Sequence, residues 1–285
     1  MKALVTGAGG QLGQALLASA PDGWEAIGRD RAGLDITDAG AVDALVDELR
    51  PDVIINAAAY TAVDKAESER DVAMAGNATA PANLARAAAR RGIHFIHVST
   101  DFVFDGTQSH PYAPTDPVAP LGVYGETKLA GEQAVAEVDP SALIVRTSWV
   151  YAATGKNFLV TMLRAMGQHG RVRVVADQIG TPTHAASLAQ ALWTMAKSDA
   201  AGIVHWSDAG CGSWYDFAVA IAEEGAAAGL LPPTIVVEPI ATADYPTPAS
   251  RPAYSVFDRA SGWALTGTAR HWRAELRDAI RSLKG

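Results

Sequence analysis

The chain has 285 residues, of which 49% are apolar and 19% are charged, a composition that supports a sizeable core and argues against wholesale disorder. Its formal net charge of -8 argues against nucleic acid as the main ligand, because no broad basic surface is available. A single cysteine, Cys211, excludes an intrachain disulfide and favours a reducing compartment. No apolar run approaches the roughly 18 residues that a membrane span needs, and the N-terminus lacks a signal-peptide pattern. We therefore expect a cytoplasmic protein without a membrane segment.

Short apolar runs alternate with helical patterns through the first half of the chain. The runs predict strands at Lys2–Thr6, 24–28, Val53–Asn56, 94–99 and Leu143–Thr147. Helices are predicted at 11–20, from a cap at Thr37 or Asp38 to the stop at Pro51, at 71–91 and at 121–138. This alternation predicts right-handed βαβ units and therefore an α/β fold with a Rossmann-type doubly wound parallel sheet.

The second half of the chain is less regular. Helices are predicted at 157–168 and 185–197, strands at 172–175 and 203–206, and the proline-rich stretch 232–252 is typical of an extended loop. We expect a dinucleotide-binding domain over residues 1–150, with returns to it near 157–170 and 185–207. Residues 208–285 together with 171–184 are expected to form a smaller C-terminal substrate-binding lobe.

A glycine-rich loop follows the first strand and opens the first helix. Gly7 permits a tight turn, Gly10 lets the backbone approach a pyrophosphate, and Gly13 lets the helix pack against the strand. The helix N-terminus offers unpaired amides to the phosphates. Between a first strand and a first helix, this spacing predicts a dinucleotide site.

The end of the second strand carries adjacent charges of opposite sign. A basic residue there accommodates the 2′-phosphate of NADPH, and an acidic one binds the ribose hydroxyls of NADH. Arg29 favours NADPH as the cofactor, whereas Asp30 keeps NADH as an alternative. A solvated charge pair is the competing interpretation.

Tyr124 and Lys128 lie four residues apart on a predicted helix and therefore share a face. A nearby ammonium group lowers the pKa of a tyrosine, which makes Tyr124 a candidate general acid. Thr100 and Asp101 follow the fourth strand, where residues line the ligand crevice of a parallel sheet. A hydroxyl at that place can donate a hydrogen bond to a substrate carbonyl, although turn capping is the alternative role.

With these residues in order, the sequence resembles the extended short-chain dehydrogenases/reductases and, within them, the dTDP-4-dehydrorhamnose reductase family. The segments that carry the closer resemblance are 56–67, 99–106, 146–151, 177–183 and 245–252. Together with the glycine loop they cover nearly the whole chain.

The resemblance implies an NAD(P)H-dependent reduction of the C4 ketone of dTDP-4-dehydro-L-rhamnose, the last step in making dTDP-L-rhamnose. It implies that Tyr124 donates the proton, that Lys128 tunes Tyr124 and binds the ribose, and that Thr100 binds the carbonyl oxygen. Asp101 and Trp149 would contact the sugar nucleotide. The cofactor contacts that it implies are Gly10, Gln11, Leu12, Asp35, Ile36, Ala59, Tyr60 and Thr61.

One position departs from the pattern of the family. Some members carry a glutamate at a metal-bridged dimer interface, where this chain has Ala186 after His184. Since alanine cannot bind Mg²⁺, we expect no magnesium-dependent dimer and no other metal site. The chain is expected to be a monomer or a homodimer.

Four alternative functions are consistent with the same scaffold. A sugar-nucleotide dehydratase is disfavoured because Phe102 stands where such enzymes carry a glutamate. An epimerase would keep its nicotinamide tightly bound. A reductase of another dTDP-4-keto-6-deoxysugar keeps the chemistry and changes the product, and a non-catalytic subunit resembling the regulatory subunit of methionine adenosyltransferase would have no need of Thr100, Tyr124 and Lys128.

Overall fold

Residues 1–283 are described by a computed structural model, which has an α/β architecture. The strands are β1 (Lys2–Thr6), β2 (Glu25–Arg29), β3 (Val53–Asn56), β4 (His94–Thr100), β5 (Leu143–Thr147), β6 (Val150–Tyr151), β7 (Arg171–Val175), β8 (Ile179–Gly180), β9 (Thr183–His184), β10 (Gly202–His205), β11 (Gly212–Ser213) and β12 (Val236–Ile240). The helices are α1 (Gln11–Ala18), α2 (Ala39–Leu49), α3 (Val63–Ala66), α4 (Arg70–Met74), α5 (Ala80–Ala89), α6 (Val123–Val138), α7 (Phe158–His169), α8 (Ala185–Met195), α9 (Trp214–Ala227), α10 (Ala260–Thr266) and α11 (Trp272–Ser282). Across residues 1–283, no helix combines the length and the apolar composition needed to cross a membrane.

A six-stranded parallel sheet in the order β10-β5-β4-β3-β1-β2 forms the centre of the molecule. Helices α1 and α8 cover one face, and α2, α5 and α6 cover the other. Burial on both faces explains why β3 is apolar along almost its whole length. These features confirm the doubly wound Rossmann-type sheet. The strand order reverses between β1 and β3, because β2 lies on one side of β1 and β3 on the other. In parallel α/β sheets, ligands bind at this switch point, beyond the carboxyl ends of the strands.

The helix predicted over 71–91 is interrupted. A π-helical turn (Ala75–Thr79) joins α4 to α5, and the side chain of Asn77 within it is fully buried. Helix α6 passes very close to this turn, because a Cβ atom built on Gly131 would lie 2.0 Å from the carbonyl oxygen of Asn77. The π-turn therefore fixes the distance between α5 and the helix that carries Tyr124 and Lys128.

A second hydrophobic core lies outside the sheet. It is formed mainly by α7, α9, α11 and β7, with residues such as Leu159, Phe217 and Leu276. Residues 157–170, expected to return to the first domain, instead form α7, which packs against α9 and β7. Within the stretch 232–252, expected to be a loop, β12 pairs with β7. Pro239 is compatible with this strand because β12 is at an edge, where one missing N–H donor is tolerated.

Candidate active site

A cleft of about 1200 Å³ opens beyond the carboxyl ends of the central strands. Nearly all residues predicted for the site line the cleft, from Gly7 to Trp149, so the fold brings distant parts of the chain together. These lining residues are Gly7, Gly10, Gln11, Leu12, Arg29, Asp30, Asp35, Ile36, Ala59, Tyr60, Thr61, Thr100, Asp101, Tyr124, Lys128 and Trp149. Gly13 is outside the lining, where it serves the packing of α1 instead.

The glycine turn is built by close backbone approach. Gly7 has a φ of 72°, and a Cβ atom there would lie 2.6 Å from the amide nitrogen of Ala58. A Cβ atom on Gly13 would lie 2.2 Å from the carbonyl oxygen of Gly7, so only glycine lets α1 start this close to β1. Gly10 is the N-cap of α1 and has no side chain to cap the first-turn amides. Those amides therefore fit the pyrophosphate of a dinucleotide.

The carboxylates at the ribose end of the cleft are engaged in local turns. Asp30 accepts a hydrogen bond from the amide of Gly33 at 2.9 Å. Asp35 accepts one from the hydroxyl of Thr37 at 2.7 Å, and this bond lowers the pKa of the Asp35 carboxyl. Arg29 uses Nη1 to donate to the carbonyl of Gly28 at 3.0 Å. The other N–H groups of the Arg29 guanidinium line this end of the cleft, where they can donate hydrogen bonds to an anionic ligand.

Two asparagines that the sequence argument missed hold the cofactor side of the cleft in shape. Asn77 accepts a hydrogen bond from the amide of Tyr60 at 2.8 Å and donates to its carbonyl at 3.1 Å. Asn83 donates to the carbonyls of Ile36 and Thr37 at 3.2 and 3.0 Å. Their only sequence signal is an amide side chain within an alanine-rich helical pattern.

Thr100, Asp101 and Tyr124 meet at the end of β4. The hydroxyl of Thr100 donates to Asp101 at 3.1 Å, and Tyr124 lines the same cleft. Burial raises the pKa of Asp101 to about 6, against the opposing effect of the nearby Ser255 and Thr100 hydroxyls. Burial also raises the pKa of Tyr124 to about 12. Tyr124 is thus protonated near neutral pH and able to act as an acid.

Lys128 is 1% exposed and donates to the carbonyl of Val98 at 2.7 Å. Burial lowers its pKa to about 8, although the negative charge of Glu132 opposes this shift. The expected lowering of the Tyr124 pKa by Lys128 is wrong for this structure, in which desolvation of the phenol dominates. The two residues nevertheless lie on one helix and line one cleft.

Trp149 also lines the cleft and has a left-handed φ of 47°. Its indole stacks on that of Trp214, with ring centroids 3.6 Å apart and an interplanar angle of 6°. A Cβ atom on Gly180 would lie 2.5 Å from the Trp149 ring, so the glycine leaves room for this orientation. Trp214 lines the cleft as well, and no sequence motif pointed to it.

Three further cations, Arg31, Lys156 and Arg251, border the cleft. Lys156 is exposed in the loop before α7, and Arg251 lies in one of the segments that carry the family resemblance. Arg251 is fixed by both carboxylate oxygens of Asp64 at 3.0 and 3.1 Å. The loop with Lys156 is tied to the glycine turn, because Asn157 donates to the side chain of Gln11 at 2.8 Å. These charges suit an anionic ligand such as a nucleoside diphosphate.

The glycine turn, the switch-point cleft and the Thr100, Tyr124 and Lys128 group define a nicotinamide-dependent oxidoreductase of the short-chain dehydrogenase/reductase class. Comparison with known proteins identifies the family. The family described as "RmlD substrate binding domain" matches residues 1–284, and the chain belongs to it. This membership confirms the resemblance found in the sequence.

Relatives and solved structures agree with this assignment. The chain is 46% identical over 286 residues to a dTDP-4-dehydrorhamnose reductase of Mycobacterium tuberculosis, and the alignment covers 97% of this chain and 91% of the relative. The fold matches a dTDP-4-dehydrorhamnose reductase of Clostridium acetobutylicum with a TM-score of 0.94 and 40% identity over 100% of both chains. It matches one of Bacillus anthracis, solved in complex with NADP, with a TM-score of 0.92 and 36% identity over 99% of both chains.

Proposed function

We propose that this chain uses NAD(P)H to reduce the C4 ketone of dTDP-4-dehydro-L-rhamnose to dTDP-L-rhamnose, the last step of dTDP-rhamnose synthesis. The observation that carries the proposal is the convergence of Thr100, Tyr124 and Lys128 in a cleft that begins at the glycine turn. The 46% identity to the reductase of Mycobacterium tuberculosis, over almost the entire chain, supports this substrate.

The chemistry adds one hydride and one proton across the carbonyl. The glycine turn and Lys128 would hold the reduced nicotinamide cofactor, which would supply the hydride for the C4 carbon. Thr100 donates a hydrogen bond to the carbonyl oxygen and so orients it towards Tyr124. Tyr124 then transfers its phenolic proton to that oxygen, which completes the C–OH group, and the positive charge of Lys128 stabilises the phenolate left behind.

The protonation states suit reduction. With its pKa raised to about 12, Tyr124 carries the proton that the reaction consumes. With its pKa lowered to about 8, Lys128 is largely charged at neutral pH and loses that charge in mildly alkaline solution. The rate of reduction should therefore fall as the pH rises through this range, because the phenolate then loses its stabilising cation.

The substrate is held by cleft residues outside the glycine turn. Asp101 and Trp149 contact the sugar nucleotide, and the stacked Trp214 keeps the Trp149 ring in place. Lys156 and Arg251 balance the charge of the diphosphate. The lobe formed by residues 208–285 and 171–184, joined by α7, provides part of the cleft lining.

NADPH is the favoured cofactor, with NADH as the alternative. Arg29 is placed to bind a 2′-phosphate, whereas the Asp30 carboxylate is engaged by the amide of Gly33. A carboxylate occupied in this way is a weaker ligand for ribose hydroxyls.

The chain acts in the cytoplasm as a monomer or a homodimer without a bridging magnesium ion. Ala186 lies at the start of α8, where a glutamate would be needed as a ligand. Measuring the molecular mass in solution with Mg²⁺ and with a chelator tests this proposal. A mass that halves on chelation would contradict it.

The decisive experiment follows the absorbance of NADPH while dTDP-4-dehydro-L-rhamnose is generated in the same solution. Substrate-dependent oxidation with dTDP-L-rhamnose as the product is the expected result. Oxidation only with a different dTDP-4-keto-6-deoxysugar would change the substrate and keep the reaction type. NADPH binding without oxidation of any ketosugar would favour a non-catalytic regulatory subunit.

A further inference from the structure

A chain of hydrogen-bonded, buried polar side chains runs from β1 to the catalytic helix. The hydroxyl of Thr6 donates to Asn56 Oδ1 at 2.7 Å, and Asn56 Nδ2 lies 2.9 Å from His97 Nδ1. His97 Nε2 in turn lies 3.5 Å from Lys128 Nζ. All four side chains are at most 1% exposed. The mechanism above uses only the last of them.

A backbone amide fixes which atoms donate and which accept along this chain of hydrogen bonds. The N–H of Ala58 donates to Asn56 Oδ1 at 3.1 Å. Because a backbone N–H can only donate, the atom that it meets must be the amide oxygen, and the NH₂ group must face His97. The Nδ1 atom of His97 therefore accepts a hydrogen bond and carries no proton.

The imidazole is neutral, so its one proton resides on Nε2. Burial lowers the pKa of His97 well below its usual range, and the charge of Lys128 lowers it further. The Nε2–H group is consequently directed at the amine of Lys128, which is held from another side by the carbonyl of Val98.

We propose that His97 is a positioning residue for Lys128, which confines the amine between its Nε2–H group and the carbonyl of Val98 and favours the uncharged amine over the ammonium. This inference rests on the proposed function as far as it concerns reduction. An N–H donor that faces an amine can bond to its lone pair, whereas it repels the N–H groups of an ammonium ion.

The other charged groups near this pair do not provide the same effect. Glu132, one turn further along α6, favours the ammonium, but its carboxylate is paired with Arg146 at 2.7 Å. Tyr124 on α6 and Asp101 after β4 are the remaining titratable groups, and each has its pKa raised by burial. The strands β1 and β3 contribute only the neutral Thr6 and Asn56 to the chain.

The first test is nuclear magnetic resonance on the full-length, cofactor-free protein with ¹⁵N-labelled histidine. We expect the signals of His97, identified by their loss in His97→Gln, to show a neutral ring protonated at Nε2. The Nε2 shift should follow the titration of Lys128 in mildly alkaline solution, and Lys128→Met should abolish this inflection. A charged ring at neutral pH, or a proton on Nδ1, would overturn the proposal.

The second test uses the pH profile of kcat/KM for the ketosugar. His97→Leu should move the alkaline limb to higher pH by about half a unit or more, because the donor that disfavours the ammonium is gone. His97→Gln should restore the original limb, since its amide can accept from Asn56 and donate to Lys128 in the same order. His184→Leu, at a partly buried histidine that pairs with Glu275 outside the cleft lining, is the control and should leave the limb in place.

A limb that stays in place in His97→Leu, or moves to lower pH, would contradict the proposal. If His97→Leu does not fold, the resonance experiment on the unaltered protein still decides it. The resonance experiment requires no turnover, so failure of the His97 proposal can be distinguished from failure of the proposed reduction. Absence of ketosugar reduction with the expected tautomer would defeat the proposed function and leave the inference about Lys128 intact.

Discussion

The two ends of the cleft are built from different parts of the chain. The cofactor end consists mainly of backbone, with Gly7 and Gly13 in positions where a Cβ atom would collide with main-chain atoms. The charged side chains there are partly or fully exposed. The catalytic end consists of buried polar side chains, among which Asp101 and Lys128 are nearly inaccessible to solvent.

This difference separates two physical requirements. A backbone site requires space, and adding a single methyl group destroys it. A site made of buried side chains requires control of desolvation, because burial decides which groups carry charge. We therefore expect substitutions at the cofactor end to act through packing and binding, and substitutions at the catalytic end to act through rate and pH dependence.

The largest expected effect is at the catalytic end. Tyr124→Phe should lower turnover by roughly 10²–10⁴-fold, because the general acid is lost while the ring remains. Fluorescence titration should show that NADPH binding is nearly unchanged. Tyr112→Phe removes the hydroxyl of a buried tyrosine that bonds to Asp105 outside the cleft, and it should leave turnover intact. Normal turnover in Tyr124→Phe would remove the basis of the assigned reaction.

The next effect tests the backbone site. Gly13→Ala should lower the free energy of unfolding by about 1–3 kcal/mol and weaken cofactor binding, because its Cβ must displace α1 from the Gly7 carbonyl. Gly9→Ala is the matched control, since its Cβ would meet only the Cβ of Asp30, at 3.7 Å. Denaturant unfolding and NADPH titration measure both quantities. Equal loss of stability in the two variants would show that close packing at Gly13 is unimportant.

A third effect concerns the stability of the catalytic end. The pKa of Asp101 is raised from 3.8 to about 6, so the folded state binds its proton more tightly than the unfolded state. Stability from this group is present below about pH 4 and is lost as the pH rises through about 6. Asp101→Asn should therefore be more stable than the unaltered protein at pH 7 by about 2–3 kcal/mol, with little difference at pH 4. Denaturant midpoints at the two pH values check this, and a difference independent of pH would contradict it.

The smallest effect concerns cofactor choice. Arg29→Ala should weaken NADPH binding by about tenfold and NADH binding much less, since only NADPH has the 2′-phosphate. Arg31→Ala provides the comparison, because Arg31 also lines this part of the cleft. The measurement is the dissociation constant of NADPH and of NADH for each variant. An equal loss for NADPH and NADH would mean that Arg29 does not bind the phosphate.

At both ends of the cleft, the sequence predicted the residues that belong to local patterns and missed residues that support them. The glycine spacing, the alternation of strands and helices and the positions of Tyr124 and Lys128 are local patterns, and the structure has them where they were expected. The residues that support the site were missed. Trp214 and Asn77 reach the cleft or its frame from segments remote in sequence, and no local pattern records such contacts.

Local sequence determined the elements of this protein because turn geometry and hydrophobic periodicity depend on neighbours along the chain. Glycine at positions 7, 10 and 13 was therefore sufficient to indicate a dinucleotide site. Tertiary structure alone decided the ionisation of the catalytic groups, since it buries Tyr124 and Lys128 and sets His97 against the amine. Desolvation depends on every atom packed around a group, and those atoms come from β1, β3, β4 and α6 together.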